Sequence, residues 1–493
     1  VASSIEGARR EVQQAFERAL SCADRAAGRS LWAFEGEAWK LLLALGRALM
    51  ALFLARQAAR LRDTRYAVDG VEYVLGGERT SRIGTRFGKV TFVRPVGRRL
   101  RARRARADLP VDRELGLCSG FSLGVVTGIT RLCAQMPFAQ ARQTWREVYG
   151  WAPAPLAVLR MVDAVGDEAR PFLEQADAPD EDGDILVIEV DCGGAPMIGS
   201  AEYVRRCGVR VVVDADTMTD RRGRRLRRRA HPRPRRTSGK KSKNAKMAAV
   251  GAIYTLRRTP NGVEGPLNKR LCATFESHAA LFAWLGREAE KRGYGHKRTL
   301  FLADGSEHIW RLQAKYFPLA EVCLDWYHVA ERVWEAGQCF YAQGTDELKE
   351  WVNRQLEALR HGRAGDVLDT LREGLAAIPK TGPGNKGRRQ RLGTNLEFLE
   401  KHRSRLRYAQ MRADDLVIGT GVIEGAVRNL VRMRLDAPGQ RWGRQRSERV
   451  LHLRCILLNG QWADFTDHLA LHENLKLPSE PERAQTHDAK AAA

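Results

Sequence analysis

The chain has no Cys-x-x-Cys pair; its nine cysteines, from Cys22 to Cys455, are scattered at irregular spacings. That removes the usual zinc-ribbon and thioredoxin-like patterns and gives no disulfide framework, so a reducing compartment is the simpler expectation. No long apolar run is free of charge. The most apolar stretch, Leu41 to Leu61, contains Arg47 and Arg56, falls short of a membrane span and reads as an amphipathic core helix. The opening VASSIEGARREVQQ has no signal-peptide core, although a start at Val1 leaves the true beginning open. There is no internal repeat. Acid is short relative to base: 59 Asp and Glu against 83 Lys and Arg, a net charge of +24.

A surplus of that size favours a polyanionic partner, most often nucleic acid. Its distribution is uneven. Between Arg221 and Lys246 lie fourteen Lys or Arg and no acid, including Arg221, Arg222, Arg224, Arg225, Arg227, Arg228 and Arg229; subtracting them leaves +10. Such a segment cannot bury a core and is expected to be a disordered loop when free. A second cluster, Arg98, Arg99, Arg101, Arg103, Arg104 and Arg106, follows a strand-like stretch. It suits contact with phosphates, or is simply a solvated charge run.

The apolar patterning divides the chain. Ile5 to Arg62 reads as helix, followed by strand-like Tyr66–Tyr73 and Gly88–Val96. Helices are expected at Phe138–Tyr149 and from about Pro153, with a turn at Gly150-Trp151. This is a helix-turn-helix-like pattern, though any helical hairpin can produce it. Arg160 is the one guanidinium on the second helix suited to reading guanine. After an acidic linker, Glu174 to Asp184, strands are expected at Ile185–Val190, Lys246–Tyr254, Arg298–Ala303 and Glu321–Leu324, alternating later with helices. That order is an α/β layout with a mixed sheet. Thr345 to Arg412 is mostly helical with a break at Lys380 to Arg391, and a helix from Val422 to Leu435 carries Glu424 in its first turn.

Asp191 and Asp304 both follow apolar strands within this α/β region, and strand ends gather at one edge of such a sheet. Carboxylates brought together repel unless a cation neutralises them, and Mg²⁺ or Mn²⁺ suits oxygen ligands. Glu424 is placed to be a third. The separations are 113 residues from Asp191 to Asp304 and 120 from Asp304 to Glu424.

On the stretches VIEVDCGGAP, KMAAVGAIYT, LFLADGSEHIWRLQAKYFPLAEVCLDWYHVAERVW, IGTGVIEGAVRNLVRMRLDAPGQRW and RSERVLHLRCILLNGQW, the chain resembles the DDE transposases of bacterial insertion sequences, the Kra-type group, with a looser likeness to Mutator-like transposases. The resemblance spans most of 184–460. It implies an α/β fold with a ribonuclease-H-like catalytic domain, a helical insertion before the final Glu and a mainly helical DNA-binding region in front. It also implies a catalytic, metal-holding triad at Asp191, Asp304 and Glu424, two bound Mg²⁺ or Mn²⁺ ions, and a supporting Asp-x-x-His element at Asp325 and His328. The implied activity is DNA strand cleavage and strand transfer. Its partners would be double-stranded DNA, as terminal inverted repeats and target, and a second or further copy of the chain in a homodimer or higher oligomer on DNA. A bacterial cytoplasmic, nucleoid-associated location follows.

The residues themselves leave alternatives open. Asp191 and Asp304 could serve turns or helix caps, and Asp325, which also ends a strand, competes with Asp304 as second ligand. His328 could be a satisfied core histidine, Glu424 a helix-dipole partner, and Trp442 either ordinary core or a stacking surface for an unpaired DNA base. A transposase-derived DNA-binding regulator, or a nuclease of the same fold without strand transfer, remains the alternative activity. The expected layout is a helical region at 1–66, a DNA-binding region at 67–183, a catalytic core at 184–340 with the basic loop 221–246, a helical insertion at 341–415, the core's final helices at 416–470 and a disordered tail at 471–493.

Overall fold

Ser4 and Ser30 begin the first two helices by accepting backbone N–H bonds from Gly7 and Ala33 through their hydroxyls. In this computed structural model, positions 4–61, 65–100, 107–198, 245–471, 475 and 477 are described. The basic segment Arg221 to Lys246 therefore lies outside the described residues except for its last two, as do Arg101, Arg103, Arg104, Arg106 and most of the tail. Contacts divide the chain into two units, Val1–Phe172 with Gly460–Ala493, and Leu173–Asn459.

The first unit opens with α1 (Ile5–Asp24) and α2 (Leu31–Arg60). The expected single helical stretch is broken at 25–30, where Gly28 takes a positive φ. α2 is long and apolar enough to cross a membrane by length and composition alone. It is apolar around most of its circumference rather than amphipathic, which corrects the sequence expectation. Leu54 packs with Ile83, Val90 and Phe92 against a three-stranded antiparallel sheet of β1 (Arg65–Val68), β2 (Val71–Thr85) and β3 (Gly88–Arg99). β2 is the strand the sequence reading missed. The turn at Asp69-Gly70 ends β1, and the chain then pairs back on itself. Helices α3 (Pro110–Glu114), α4 (Leu123–Gln135), α5 (Phe138–Tyr149) and α6 (Pro155–Gln175) follow. α5 has the expected bounds and ends at Gly150, whose φ of 72 ° suits a residue without a side chain. α6 starts two residues later than expected.

The second unit is built on a five-stranded mixed sheet in the order β6-β5-β4-β7-β8. The strands are β4 (Ile185–Pro196), β5 (Ala245–Thr259), β6 (Gly262–Thr274), β7 (Arg298–Ala303) and β8 (Glu321–Leu324). β5 is antiparallel to both of its neighbours, β6 and β4, whereas β4, β7 and β8 run parallel. The parallel strands read as mainly apolar runs, Glu189 in β4 being the internal exception, because their middles are covered on both faces. Phe282 of α7 (His278–Lys291) and Trp310 of α8 (Glu307–Tyr316) pack with Phe301 and Phe317 in this core. After β8 come α9 (Trp326–Gly337), then α10 (Asp346–Arg360), α11 (Ala364–Ala377) and α12 (Asn385–Lys401). These three form the expected helical stretch, but the break is confined to 378–384. The short α13 (Tyr408–Ala413) leads to α14 (Gly421–Val427), a π-helical turn at Arg428–Arg432, α15 (Met433–Leu435) and α16 (Arg444–Leu458). α17 (Trp462–Leu471) belongs to the first unit.

Candidate active site

The last paired residues of the parallel strands β4 and β7 are Val190 and Ala303. The next residue on each chain is an aspartate, so Asp191 and Asp304 sit side by side at one edge of the parallel pairing. Asp191 is not at a strand end, as the sequence reading had it. β4 runs on to Pro196 because β5 continues to pair with it, Asp191 opposite Val250.

Glu424 reaches the same edge from the first turn of α14. Two features hold that helix against β4. Gly193 has no side chain, and a Cβ there would come within 3.1 Å of Val427 and Val431. Glu189, buried in the middle of β4, accepts 2.7 Å and 2.8 Å bonds from the Tyr254 hydroxyl and the Ile423 backbone N–H. The sequence reading passed over Glu189, although a lone acid inside ILVIEV was its visible signal. Burial drives the Glu189 carboxyl up to about 7, against the pull of those two bonds, and the charges of Asp325 and Glu424 add to the rise.

Asp325 follows β8, is fully buried and has both oxygens engaged. It accepts from the Thr420 N–H (2.8 Å) and the His328 N–H (3.0 Å), capping α9, and receives the His328 ring Nδ1 at 2.6 Å. Asp304 is committed more lightly, accepting a 2.9 Å bond from the Ser306 N–H. This difference favours Asp304 over Asp325 as a carboxylate with free lone pairs. Asp325 instead ties β8 to the segment entering α14 and orients His328. The bond from Asp325 raises His328 to about 9 despite burial, helped by the charges of Asp191 and Asp304, so the imidazole is a cation at neutral pH.

The remaining charges crowd. Burial raises the Asp191 carboxyl, and Asp304 raises it further, while the Cys192 N–H, His328 and Arg432 oppose this. Burial likewise raises Glu424, with Asp325, Asp191 and Glu331 adding to it and His328 opposing. Asp191 is thus the shared neighbour of Asp304 on one side and Glu424 on the other. Among the described residues, no three His, Cys, Asp or Glu side chains already converge as a metal cage.

A cleft of about 760 Å³ is lined by Asp191, His328, Glu331, Glu424, Arg428, Arg432 and Asp436, among others. Arg428 and Arg432 share its wall with Glu424 because of the π turn. In an α-helix a four-residue step overshoots one turn by roughly 40 °, so Glu424, Arg428 and Arg432 would drift around the axis. The wider π turn at Arg428–Arg432 takes more residues per turn and reverses that drift. The sequence reading expected one regular helix from Val422 to Leu435 and missed this.

Other expected site residues fall elsewhere. Trp442 is buried, donates its indole N–H to Leu435 O at 2.9 Å and carries the Arg434 guanidinium over its ring at 4.7 Å. That ring is packed, not offered to a base. In the first unit, Arg98 and Arg99 are exposed at the end of β3, opposite Val74 and Tyr73. Arg160 is half-buried on α6, its Nε out of solvent and without a partner among the described residues. Two residues outside the sequence reading flank the site: Cys192 Sγ lies 3.1 Å from His278 Nε2, and the Asp304 charge reaches His278.

Compared with models of known protein families and with curated protein sequences, the chain matches none.

Proposed function

We propose that the chain is a DNA-cutting and DNA-joining enzyme of the DDE transposase kind, with a ribonuclease-H-like catalytic core. The observation that carries this reading is the pair of aspartates that directly follow the last paired residues of two adjacent parallel strands, with Glu424 reaching the same edge from a helix tethered to β4. The sheet order β6-β5-β4-β7-β8, with β5 alone running against the other four strands, supports the same reading, as does the helical stretch α10–α12 between Asp304 and Glu424.

The donor set fits hard divalent cations. It is all carboxylate oxygen, and burial first, with neighbouring carboxylates adding to it, raises Asp191 and Glu424, an effect that bound positive charge offsets. Asp191 with Asp304 would hold one Mg²⁺ or Mn²⁺ ion, and Asp191 with Glu424 a second. When bound, such ions stabilise negative charge on the attacking and leaving oxygens of a phosphodiester. The chain's own side chains do the rest. Arg428 and Arg432 present positive charge to DNA phosphates from the cleft wall, and Asp325 fixes the His328 cation beside the carboxylates. In the first step water attacks phosphorus at the end of the mobile DNA, breaking the P–O3′ bond and leaving a 3′-hydroxyl. In the second, that hydroxyl attacks a phosphorus of the target DNA and releases a new 3′-hydroxyl. Double-stranded DNA is the partner, its backbone also met by Arg98 and Arg99.

The test is to incubate the purified chain with DNA carrying the element's own ends and a target plasmid, with and without Mg²⁺ or Mn²⁺. Metal-dependent nicks together with joined products support the reading. Nicks without joining point to a nuclease, and binding without either to a regulator.

A further inference from the structure

The α1–α2 hairpin leaves much apolar surface uncovered. Leu31 is 79 % exposed, Trp32 85 %, Leu42 53 %, and Leu49 and Phe53 44 % each; on α1, Phe16 and Leu20 are half-exposed. One side of α2 is occupied by the sheet, through Leu43 and Leu54, while Gly46, one turn from both Leu42 and Leu49, carries the partly exposed Phe87 ring along the flank of the uncovered side. Another side faces α1, where Ala48 is buried. The uncovered side lies between these two. Along it runs a row at seven-residue spacing: Glu35, Leu42, Leu49, Arg56. Residues seven apart lie two turns apart on one line of a helix. Glu35 and Arg56 are exposed and have no ion-pair partner among the described residues.

This row is its own complement when reversed. An antiparallel copy of α2, related by a two-fold axis through the middle of the row, sets Leu42 against the partner's Leu49 and Glu35 against the partner's Arg56. The same register sets the small Ala38 opposite Phe53. A two-fold contact uses one patch twice, so a patch must match itself in this manner. Large side chains of this kind bury roughly 150–250 Å² each, so the exposed apolar groups of the hairpin amount to on the order of 700 Å² per copy, against about 800 Å² per partner in a standard interface. A membrane is a poorer occupant. Spanning one would strip α2 from the sheet, and Arg47, which donates to Phe87 O at 2.9 Å, would have to leave that bond.

We propose that the uncovered face of α2 binds a second copy of this chain, antiparallel, with Leu42 and Leu49 at the centre and reciprocal Glu35–Arg56 pairs at the ends. This interface is independent of the carboxylate chemistry, and it stands or falls without any cleavage assay. The experiment is light scattering across a concentration series on the full chain, freed of nucleic acid. The parent chain runs at twice the 55.3 kDa chain mass. Leu49→Glu puts a charge at the centre and runs at the single-chain mass, as does Glu35→Arg, an exposed change that leaves the fold intact by circular dichroism. Glu35→Arg combined with Arg56→Glu restores the reversed pair and recovers the dimer. A parent chain monomeric throughout overturns the proposal, as does a dimer indifferent to Glu35→Arg or a double variant no better than the single one. Flotation of the parent chain with anionic lipid vesicles, in place of dimerisation, overturns it in favour of a membrane surface.

Discussion

Asp182 and Arg292 show how one buried ion pair sets up the sheet that carries the site. Arg292 places Nε 2.9 Å and Nη2 2.8 Å from the two Asp182 oxygens, and its side chain is entirely out of solvent. Burial pushes the Asp182 carboxyl up, but bonds from Arg292, Thr255 and Asn268 outweigh it and hold the group well below the usual range. Asp182 lies three residues before β4, so the pair anchors the entry to the strand bearing Asp191. Asp182→Asn leaves Arg292 charged and unpaired, and the second unit should lose about 3–5 kcal/mol at pH 7, read by urea unfolding. Because the folded carboxyl is depressed, its contribution is complete above the unfolded Asp value near pH ~4 and fades as pH falls below it. The gap between parent and variant should therefore narrow at pH 3; a gap that stays constant shows that the ionised carboxylate is not what stabilises the strand. Glu189 works by a different route, as an acceptor for two donors. Glu189→Ala should cost about 1–3 kcal/mol by stranding the Tyr254 hydroxyl and the Ile423 N–H. It should also lower DNA cleavage by loosening α14, whereas Glu189→Gln, which keeps an acceptor, should do less on both counts.

At the scale of elements, glycines decide how closely helices approach the strand ends. A Cβ on Gly305 would collide with the Phe398 ring, brought from α12 to the turn after Asp304. Gly305→Ala should destabilise by about 1–3 kcal/mol and disturb Asp304, and adding Phe398→Leu should recover most of the stability in thermal unfolding. No recovery would mean that the backbone at Gly305, not its contact, is what matters. What was legible in the sequence follows the same physics. β7 and β8 were readable to the residue because strands buried on both faces are short unbroken apolar runs. Asp304 and Asp325 were therefore placed at their ends. β2 was not readable, because residues such as Glu78, Arg79 and Thr80 are exposed and break the apolar pattern. The extension of β4 past Asp191 depends on β5, a partner some 60 residues away along the chain. The π turn, and with it the alignment of Arg428 and Arg432 with Glu424, is a tertiary effect that helix periodicity does not carry. For Trp442 the sequence favours core over a stacking surface for DNA, and the Leu435 carbonyl and the Arg434 guanidinium, close in sequence but aligned only by the turn between them, place it in the packing.

At the scale of the whole molecule, the proposed function makes charge the means by which DNA would be held. The fourteen cations between Arg221 and Lys246 are too dense to be specific readers and suited to phosphates. Deleting them should weaken binding of any DNA sequence alike and flatten the dependence of log Kd on log salt. An unchanged slope would show that the segment stays off the DNA. The central claim, however, rests on three carboxylates, and one comparison reaches it most directly: cleavage of end DNA in Mg²⁺ by Asp191→Asn, Asp304→Asn, Glu424→Gln and Asp325→Asn, with DNA binding measured alongside. Each of the first three should lose at least about a hundredfold in cleavage rate, equivalent to roughly 2.7 kcal/mol, while still binding DNA. Asp325→Asn should retain more cleavage and lose stability instead. Near-normal cleavage by Asp304→Asn, with Asp325→Asn inactive yet folded, would contradict the account.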